Sequence, residues 1–259
     1  MNYFSGEWLW EQRDKRMDMY TVLMHPKATI ALSSVYVVFV VLIGPWIMRT
    51  RKPYELQKPL IFYNLLQILI SGYLVFESWD AGWGTRYSWT CQAPEPGTGP
   101  LQLRAISVGV VYLYNRYIQL FDTLFFIARK KYDQVTVLHV YHHAIMPIYA
   151  WTQSRFLPSN HETFIGVFNS FVHIFVYAYY LLSILLGSKI RPYLWFKKYI
   201  TLLELIMFVV GISRSLIVIT GIVECGYPWV NSLLTLIFIY TPFFYLFLEF
   251  YKKKYNKRK

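Results

Sequence analysis

The chain alternates between long apolar segments and short polar segments that carry most of its lysines and arginines. A transmembrane α-helix needs about 20 apolar residues. Seven segments come close to this length, and they cover residues 28–48, 60–76, 105–128, 135–151, 163–186, 199–220 and 229–250. Long stretches with a period of two, which the strands of a membrane barrel would show, do not occur. The pattern therefore predicts an all-α, polytopic membrane protein with seven transmembrane helices.

Composition excludes the soluble and disordered classes. Of the 259 residues, 56% are hydrophobic and only 15% are charged, against roughly 25% charged in soluble domains. A soluble globule could not bury this much apolar surface, and a disordered chain would lack it. The net charge of +12 does not predict a nucleic-acid partner, because the basic residues lie in short runs between the apolar segments. The expected surroundings are a lipid bilayer.

The basic residues also predict the orientation in the membrane. Seventeen of the 26 lysines and arginines fall in the loops after the first, third and fifth segments and in the tail 251–259, whereas seven fall in the N-terminal segment 1–27 and the other loops. Because cytosolic loops are richer in these residues, we expect segment 1–27 in the lumen and the basic tail in the cytosol. No apolar core of a signal peptide precedes the first span, so this span is expected to act as the targeting signal itself. The spans are expected to form a single transmembrane domain, 1–259.

Both cysteines, Cys91 and Cys225, fall in loops on the predicted luminal side. This side is oxidising in the secretory pathway, so a disulfide between them is favoured over two unpaired thiols. A chain with two cysteines has no disulfide scaffold and no all-cysteine metal site.

The fourth apolar segment contains His139, His142 and His143. Positions i, i+3 and i+4 share one face of a helix, so the three imidazoles are expected to point into the same space. An ionisable group inside a bilayer costs roughly 2.5–3.5 kcal/mol on insertion scales. A single intramembrane histidine is often a hydrogen-bonded core residue, whereas three on one face indicate a functional site.

Polar residues also interrupt the third segment, where Arg116 and Asp122 lie nearly on one face. Two interpretations are open. The two side chains pair with each other, or Asp122 orients a histidine while Arg116 meets an anion.

The fifth and sixth segments carry further polar groups. Asn169, His173 and Tyr177 form one stripe along the fifth, which is typical of a lined cavity. Tyr180 lies near the end of that span, where tyrosines often form an interfacial belt. Glu204 lies near the cytosolic end of the sixth, where it can be solvated.

Two kinds of chemistry fit the histidines. The HxxHH spacing occurs in metal sites, and imidazole suits zinc or iron. Only four histidines lie within the predicted spans, namely His139, His142, His143 and His173. Four are too few for the two irons of membrane desaturases and hydroxylases, so a metal site here would hold a single ion. Alternatively no metal is bound, and an imidazole serves as nucleophile or general base. The residues alone leave both open.

From about residue 26 to residue 250, the chain resembles the fatty acid elongase (ELO) family. The resemblance rests on ordered motifs: residues 116–123 occupy its KxxExxDT motif, 139–143 its HxxHH box, 169–180 look like NxxHxxMYxYY, and 201–208 fall on TxxQxxQF. The basic run 129–131, segment 44–54 and the pair 63–64 also fit. HxxHH alone would be weak, but four motifs in order are specific.

The resemblance implies a multi-pass endoplasmic reticulum enzyme whose seven helices surround a closed-ended acyl tunnel. It would condense a long-chain acyl-CoA with malonyl-CoA to 3-oxoacyl-CoA, CO2 and CoA, without a cofactor. Cytosolic lysines and arginines would meet the CoA phosphates. The implied partners are the 3-oxoacyl-CoA reductase, 3-hydroxyacyl-CoA dehydratase and enoyl-CoA reductase of the elongation cycle. A homodimer is left open.

The resemblance also implies roles for individual residues. His142 would attack the thioester and carry the acyl group as an acyl-imidazole. His139, His143 and His173 would orient it, bind the thioester carbonyl and stabilise the enolate, and Asp122 would fix an imidazole tautomer. Substrate contacts are implied for a further set: Arg116, Gln119, Thr123, Asn169, Tyr177, Tyr180, Glu204, Lys130 and Lys131.

Several positions depart from the family pattern: Arg116 replaces Lys, Gln119 replaces Glu, Val176 replaces Met, and Glu204 and Met207 replace Gln. The four central histidines and Asp122 are intact, which favours an active enzyme over a catalytically dead homologue. Two rival interpretations are a metal-dependent lipid desaturase or hydroxylase and a seven-span receptor. A receptor does not explain three histidines on one helix face near the cytosol.

Overall fold

The computed structural model describes residues 10–20, 25–187, 189 and 195–255, and every regular element in these ranges is helical. The all-α prediction is confirmed for this part of the chain. A short 3-10 helix, Lys15–Met19, comes first. The longer helices are α1 (Pro26–Met48), α2 (Gln57–Trp83), α3 (Pro100–Ile118), α4 (Phe121–Ala128), α5 (Val137–Phe156), α6 (Thr163–Leu186), α7 (Phe196–Thr220) and α8 (Trp229–Tyr255).

Five of the helices in the described ranges are long and apolar enough to cross a membrane, namely α1, α2, α6, α7 and α8. They correspond to five of the seven predicted spans. Large apolar side chains such as Phe62 and Leu69 remain exposed along them, as expected for surfaces that face lipid. By the same standard of length and composition, α3 to α5 do not qualify.

The third predicted span, 105–128, is not one helix. α3 ends at Ile118, the chain turns at Gln119 and Leu120, and α4 begins at Phe121. Neither a proline nor a glycine marks this break, and apolar and aromatic residues continue on both sides of Gln119. Three of the long helices also contain a π-helical turn, at Phe39–Ile43, Trp79–Trp83 and Leu236–Tyr240.

Local chemistry sets several helix ends. Pro26 opens α1, and the Nδ1 of His25 accepts a hydrogen bond from the backbone N–H of Lys27 over 3.3 Å. Thr136 caps α5 in the same way, because its hydroxyl accepts from the backbone N–H of His139 over 3.2 Å. Gly221 ends α7 in the left-handed conformation, with φ of 69°.

The chain divides into two compact units, Met1–Pro53 with Pro94–Asn160, and Tyr54–Ala93 with His161–Lys259. The single domain 1–259 stays a prediction. In the first unit, α1 and α3 pack against α5, and α1 also contacts α4. In the second unit, α2 packs along α6, α6 contacts α7, and α7 packs against α8.

Some predicted features fall outside the described residues. These are residues 1–9 and 21–24 of the N-terminal segment, 188 and 190–194 of the loop before α7, and 256–259 of the basic tail. Where the N-terminal segment is described, Met17 is fully buried in a cluster with Ile106, Val110 and Ala150, so this segment is packed against α3 and α5.

Candidate active site

The three histidines of α5 lie side by side. The ring centroids of His139 and His143 are 4.3 Å apart, and those of His142 and His143 are 5.1 Å apart. The first pair follows from i, i+4 spacing on one helix face. Since the Thr136 cap fixes the first turn of α5, the cluster sits at a defined end of the helix. The grouping expected from the sequence is therefore present.

The first histidine of the box is hydrogen-bonded to a threonine of α4. Thr123 Oγ1 lies 2.8 Å from His139 Nε2 and 2.8 Å from the hydroxyl of Tyr36. Thr123 is fully buried, and its hydroxyl has these two protein partners, while its contact with a substrate stays a prediction. Asp122, its neighbour at the start of α4, is half-buried. Its role as a tautomer-fixing group stays a prediction.

Arg116, near the end of α3, is only 2% exposed. Its guanidinium lies over the ring of Tyr112, 4.3 Å from the ring centroid. Among the described residues, no group accepts a hydrogen bond from its three guanidinium nitrogens. The interpretation of a hydrogen-bonded pair with Asp122 is therefore not supported, whereas a buried set of unused donors suits an anion. The charge of Arg116 also acts on His142.

Gln119 occupies the break between α3 and α4 and is 1% exposed. Lys130 and Lys131 follow α4 at the start of the loop to α5, with Lys130 half-buried and Lys131 exposed. This loop is on the predicted cytosolic side, and the substrate contacts of Gln119, Lys130 and Lys131 stay predictions.

The second unit carries the polar stripe of α6. The Asn169 amide nitrogen is 3.4 Å from His173 Nε2, and the rings of His173 and Tyr177 are 5.7 Å apart. Tyr180 continues the stripe at 6.1 Å from Tyr177. On α2, Tyr63 meets Tyr177 edge to face at 6.1 Å. The stripe predicted from spacing is thus continuous over three turns of α6.

Glu204 is half-buried in the first half of α7, one turn after the buried Thr201. The sequence predicts that this carboxylate can be solvated, and in the structure the side chain is only partly exposed to solvent. Nothing in its described contacts assigns it a substrate, and that role stays a prediction.

A buried polar cluster of the second unit was not predicted. Arg214 of α7 donates to Nδ1 of His161 over 2.9 Å, and also to the backbone carbonyls of His161 and Trp89. Tyr240 of α8 donates to the carboxylate of Glu162. Burial, together with the charge of Arg214, lowers the pKa of His161 to about 3. His161 lies in a loop and belongs to no motif, so only its contacts reveal it.

The two cysteines are bonded to each other, with their Cα atoms 5.8 Å apart. The bridge joins the loop after α2 to the loop before α8. In the described residues, no group of three or more His, Cys, Asp or Glu side chains is arranged to hold a metal ion.

Comparison with known proteins identifies the family of this chain. A profile described as the GNS1/SUR4 family, ELO, matches residues 21–259. Very long chain fatty acid elongase 7 of Drosophila melanogaster is 40% identical over 251 residues, which are 95% of this chain and 74% of that protein. Very long chain fatty acid elongase 1 of Homo sapiens is 36% identical over 247 residues, 95% of this chain and 88% of that protein. The motifs, the helical architecture and these matches agree, and the chain belongs to the ELO family.

Proposed function

We propose that this protein is a condensing enzyme of fatty acid elongation, a 3-oxoacyl-CoA synthase that joins a long-chain acyl-CoA to malonyl-CoA. The observation that carries the proposal is the cluster of three imidazoles on α5, with neighbouring rings 4.3 Å and 5.1 Å apart, in a chain of the ELO family. The names of the similar proteins, which are very long chain fatty acid elongases, support the same role.

In the first step, a nitrogen of His142 attacks the carbonyl carbon of the acyl thioester. The carbon–sulfur bond breaks, the proton of the imidazole passes to the departing CoA sulfur, and an acyl-imidazole remains. His139 Nε2 is hydrogen-bonded to Thr123, which suits an orienting role for His139.

In the second step, malonyl-CoA loses CO2, and the resulting carbanion attacks the acyl carbon. The bond to the imidazole breaks, the ring takes up a proton, and 3-oxoacyl-CoA leaves. Decarboxylation drives the step, so no redox cofactor is required. Arg116 is a candidate partner for a carboxylate or a phosphate, since its buried donors find no acceptor among the described residues. His143 and His173 remain candidates for stabilising the enolate.

The remaining parts of the proposal concern the setting. The chain would cross the membrane seven times if α3 and α4 together make one crossing and α5 makes another, in addition to the five apolar helices. A closed apolar tunnel would hold the acyl chain, and the membrane would be that of the endoplasmic reticulum, with both CoA substrates entering from the cytosol. The 3-oxo product requires reduction, dehydration and a second reduction, so enzymes of these three classes are the expected partners.

The test is an elongation assay. Microsomes from cells that express the chain are incubated with acyl-CoAs of graded length and labelled malonyl-CoA, and 3-oxo products are separated by chain length. We expect labelled products two carbons longer than a preferred acyl-CoA, and none with His142→Ala at equal protein level. Labelling no greater than in microsomes without the chain, at every acyl length, would rule out the proposed function.

A further inference from the structure

Two hydrogen bonds in series connect α1 to the histidine cluster. The hydroxyl of Tyr36 lies 2.8 Å from Thr123 Oγ1, and Thr123 Oγ1 lies 2.8 Å from His139 Nε2. Tyr36 is 5% exposed and Thr123 is fully buried. All three residues belong to the first unit. Water therefore has little access to these bonds, so whether one partner donates or accepts determines the role of the next partner in the series.

The proton count fixes the direction of this chain. Thr123 has one hydroxyl proton and two lone pairs, and Tyr36 and His139 are its partners among the described hydrogen bonds, so its own proton finds an acceptor only if Thr123 donates to one neighbour and accepts from the other. If His139 Nε2–H donated to Thr123, then Thr123 would donate to Tyr36, and no described acceptor would remain for the Tyr36 proton. A buried donor without an acceptor costs about 1–3 kcal/mol. The favoured order is therefore Tyr36 to Thr123 to His139 Nε2, with the proton of neutral His139 on Nδ1.

Tyr36 makes a second contact with the histidine cluster, between its ring and that of His143. Its ring lies 6.3 Å from the ring of His143, centroid to centroid, while His143 in turn lies 4.3 Å from His139. The hydroxyl of Tyr36 thus acts on the first histidine of the box and its ring packs near the last. A Tyr36→Phe substitution separates the two, because it removes only the hydroxyl.

We infer that Tyr36 is a positioning residue for the condensation: through Thr123 it holds His139 in one tautomer and presents the Nδ1–H of His139 as the donor on the reacting side. The inference rests on the proposed function. An imidazole with a fixed donor stabilises developing negative charge on a substrate oxygen better than one that exchanges tautomers. Tyr36 belongs to none of the motifs by which the family is identified.

The protein contains a matched control for this relay. Tyr117 of α3 and Thr29 of α1 are also both buried, and their hydroxyl oxygens are 2.7 Å apart. This pair has the same chemistry, and it too links α1 to the rest of the first unit, but its threonine contacts no histidine in a described hydrogen bond. A Tyr117→Phe substitution therefore removes a similar buried bond without altering the cluster.

The test compares kcat and KM for elongation in Tyr36→Phe, Thr123→Val, their double variant, Thr123→Ser and Tyr117→Phe. Tyr36→Phe is expected to lower kcat about tenfold, the effect of one lost hydrogen bond, with KM for acyl-CoA unchanged within about twofold. Tyr117→Phe should keep kcat within about twofold of the wild type, although both lower the melting temperature. Thr123→Ser, which keeps the hydroxyl, should retain at least about fivefold more kcat than Thr123→Val.

The double variant distinguishes a relay from two separate contacts. If the relay acts as a unit, Tyr36→Phe in the Thr123→Val background costs little more kcat, and the two effects are not additive. Equal kcat losses in Tyr36→Phe and Tyr117→Phe, additive effects, or equal activity of Thr123→Ser and Thr123→Val would each overturn the inference while elongation by the wild type continues. If Tyr36→Phe does not fold, the two Thr123 variants carry the test. A wild-type chain without elongation activity removes the proposed function, and this inference with it.

Discussion

Arg214 donates hydrogen bonds to both Nδ1 and the backbone carbonyl of His161, over 2.9 Å and 3.1 Å, and both residues are almost fully buried. The same guanidinium bonds to the carbonyl of Trp89, two residues before Cys91. Tyr227, two residues after Cys225, lies against the His161 ring at 5.4 Å. Arg214 therefore ties the loop of His161 to the loop that carries Cys91, and Tyr227 brings the loop of Cys225 against the same histidine.

Replacing Arg214 should destabilise the protein strongly. Arg214→Met leaves Glu162 buried beside Tyr240 without the cation that acts on it, and loss of one member of a buried charge pair costs roughly 3–5 kcal/mol. Thermal unfolding in detergent measures the effect. Lys252→Met, at an exposed lysine of α8 in the same unit, is the control and should stay within about 0.5 kcal/mol. Equal melting temperatures for the two variants would contradict the structural role of Arg214.

The buried His161 should make stability depend on pH. Its pKa is about 3 in the folded protein, against 6.5 as the ordinary value. Below pH 6.5 the unfolded chain binds a proton that the folded chain does not, so stability is complete above this pH and falls as the pH drops. We expect the melting temperature to fall between pH 7 and pH 5, and to fall less in His161→Asn, which keeps an acceptor for Arg214. The same dependence of melting temperature on pH in both proteins would contradict the assignment of this dependence to His161. The difference in melting temperature between the two proteins at pH 8 measures the effect of the substitution that does not depend on protonation.

The disulfide predicts both stability and topology. Reduction of Cys91–Cys225 removes a link between residues 134 apart in sequence and should cost about 2–5 kcal/mol. A melting curve with and without reductant measures it, and Cys91→Ser should melt like the reduced wild type and not respond to reductant. Thiol labelling of the unfolded protein should shift its gel mobility only after reduction. Labelling of both cysteines before reduction would exclude the bridge and weaken the luminal placement of both loops.

The length of the acyl chain should respond to a buried aromatic pair in the second unit. Phe243, near the middle of α8, is 1% exposed and lies 5.7 Å from Phe208 of α7, ring to ring. If the tunnel reaches this pair, Phe243→Ala opens space and shifts products toward longer chains. Phe238→Ala, at an exposed position of the same helix, should leave product lengths as they are. Unchanged lengths in Phe243→Ala would remove this pair from the tunnel wall.

The sequence predicts the helices well where hydrophobicity alone forms them. Five apolar segments are helices of spanning length, and the i, i+4 spacing of His139 and His143 correctly places their rings together. The break at Gln119 could not be predicted, because neither a proline nor a glycine marks it. Boundaries also differ, since α2 begins at Gln57 and continues through a π-helical turn to Trp83.

Contacts between distant residues set the rest of the site. Tyr36 is a single tyrosine in an apolar segment, and its link to Thr123 spans 87 residues. His161 belongs to no motif, and Arg214, which donates a hydrogen bond to it, comes 53 residues later in the sequence. Periodicity reports which residues share a face of one helix, but it does not report which helices pack together.

The central claim is that His142 carries the acyl group, and intact-protein mass spectrometry of the purified enzyme tests it most directly. The enzyme is mixed with acyl-CoA in the absence of malonyl-CoA, and free CoA is measured in the same sample. We predict one equivalent of released CoA, a mass increase equal to one acyl group that maps to His142, and neither signal in His142→Ala. Release of CoA only after malonyl-CoA is added, with no acyl adduct on the protein, would contradict the acyl-imidazole and with it the account of the histidine cluster.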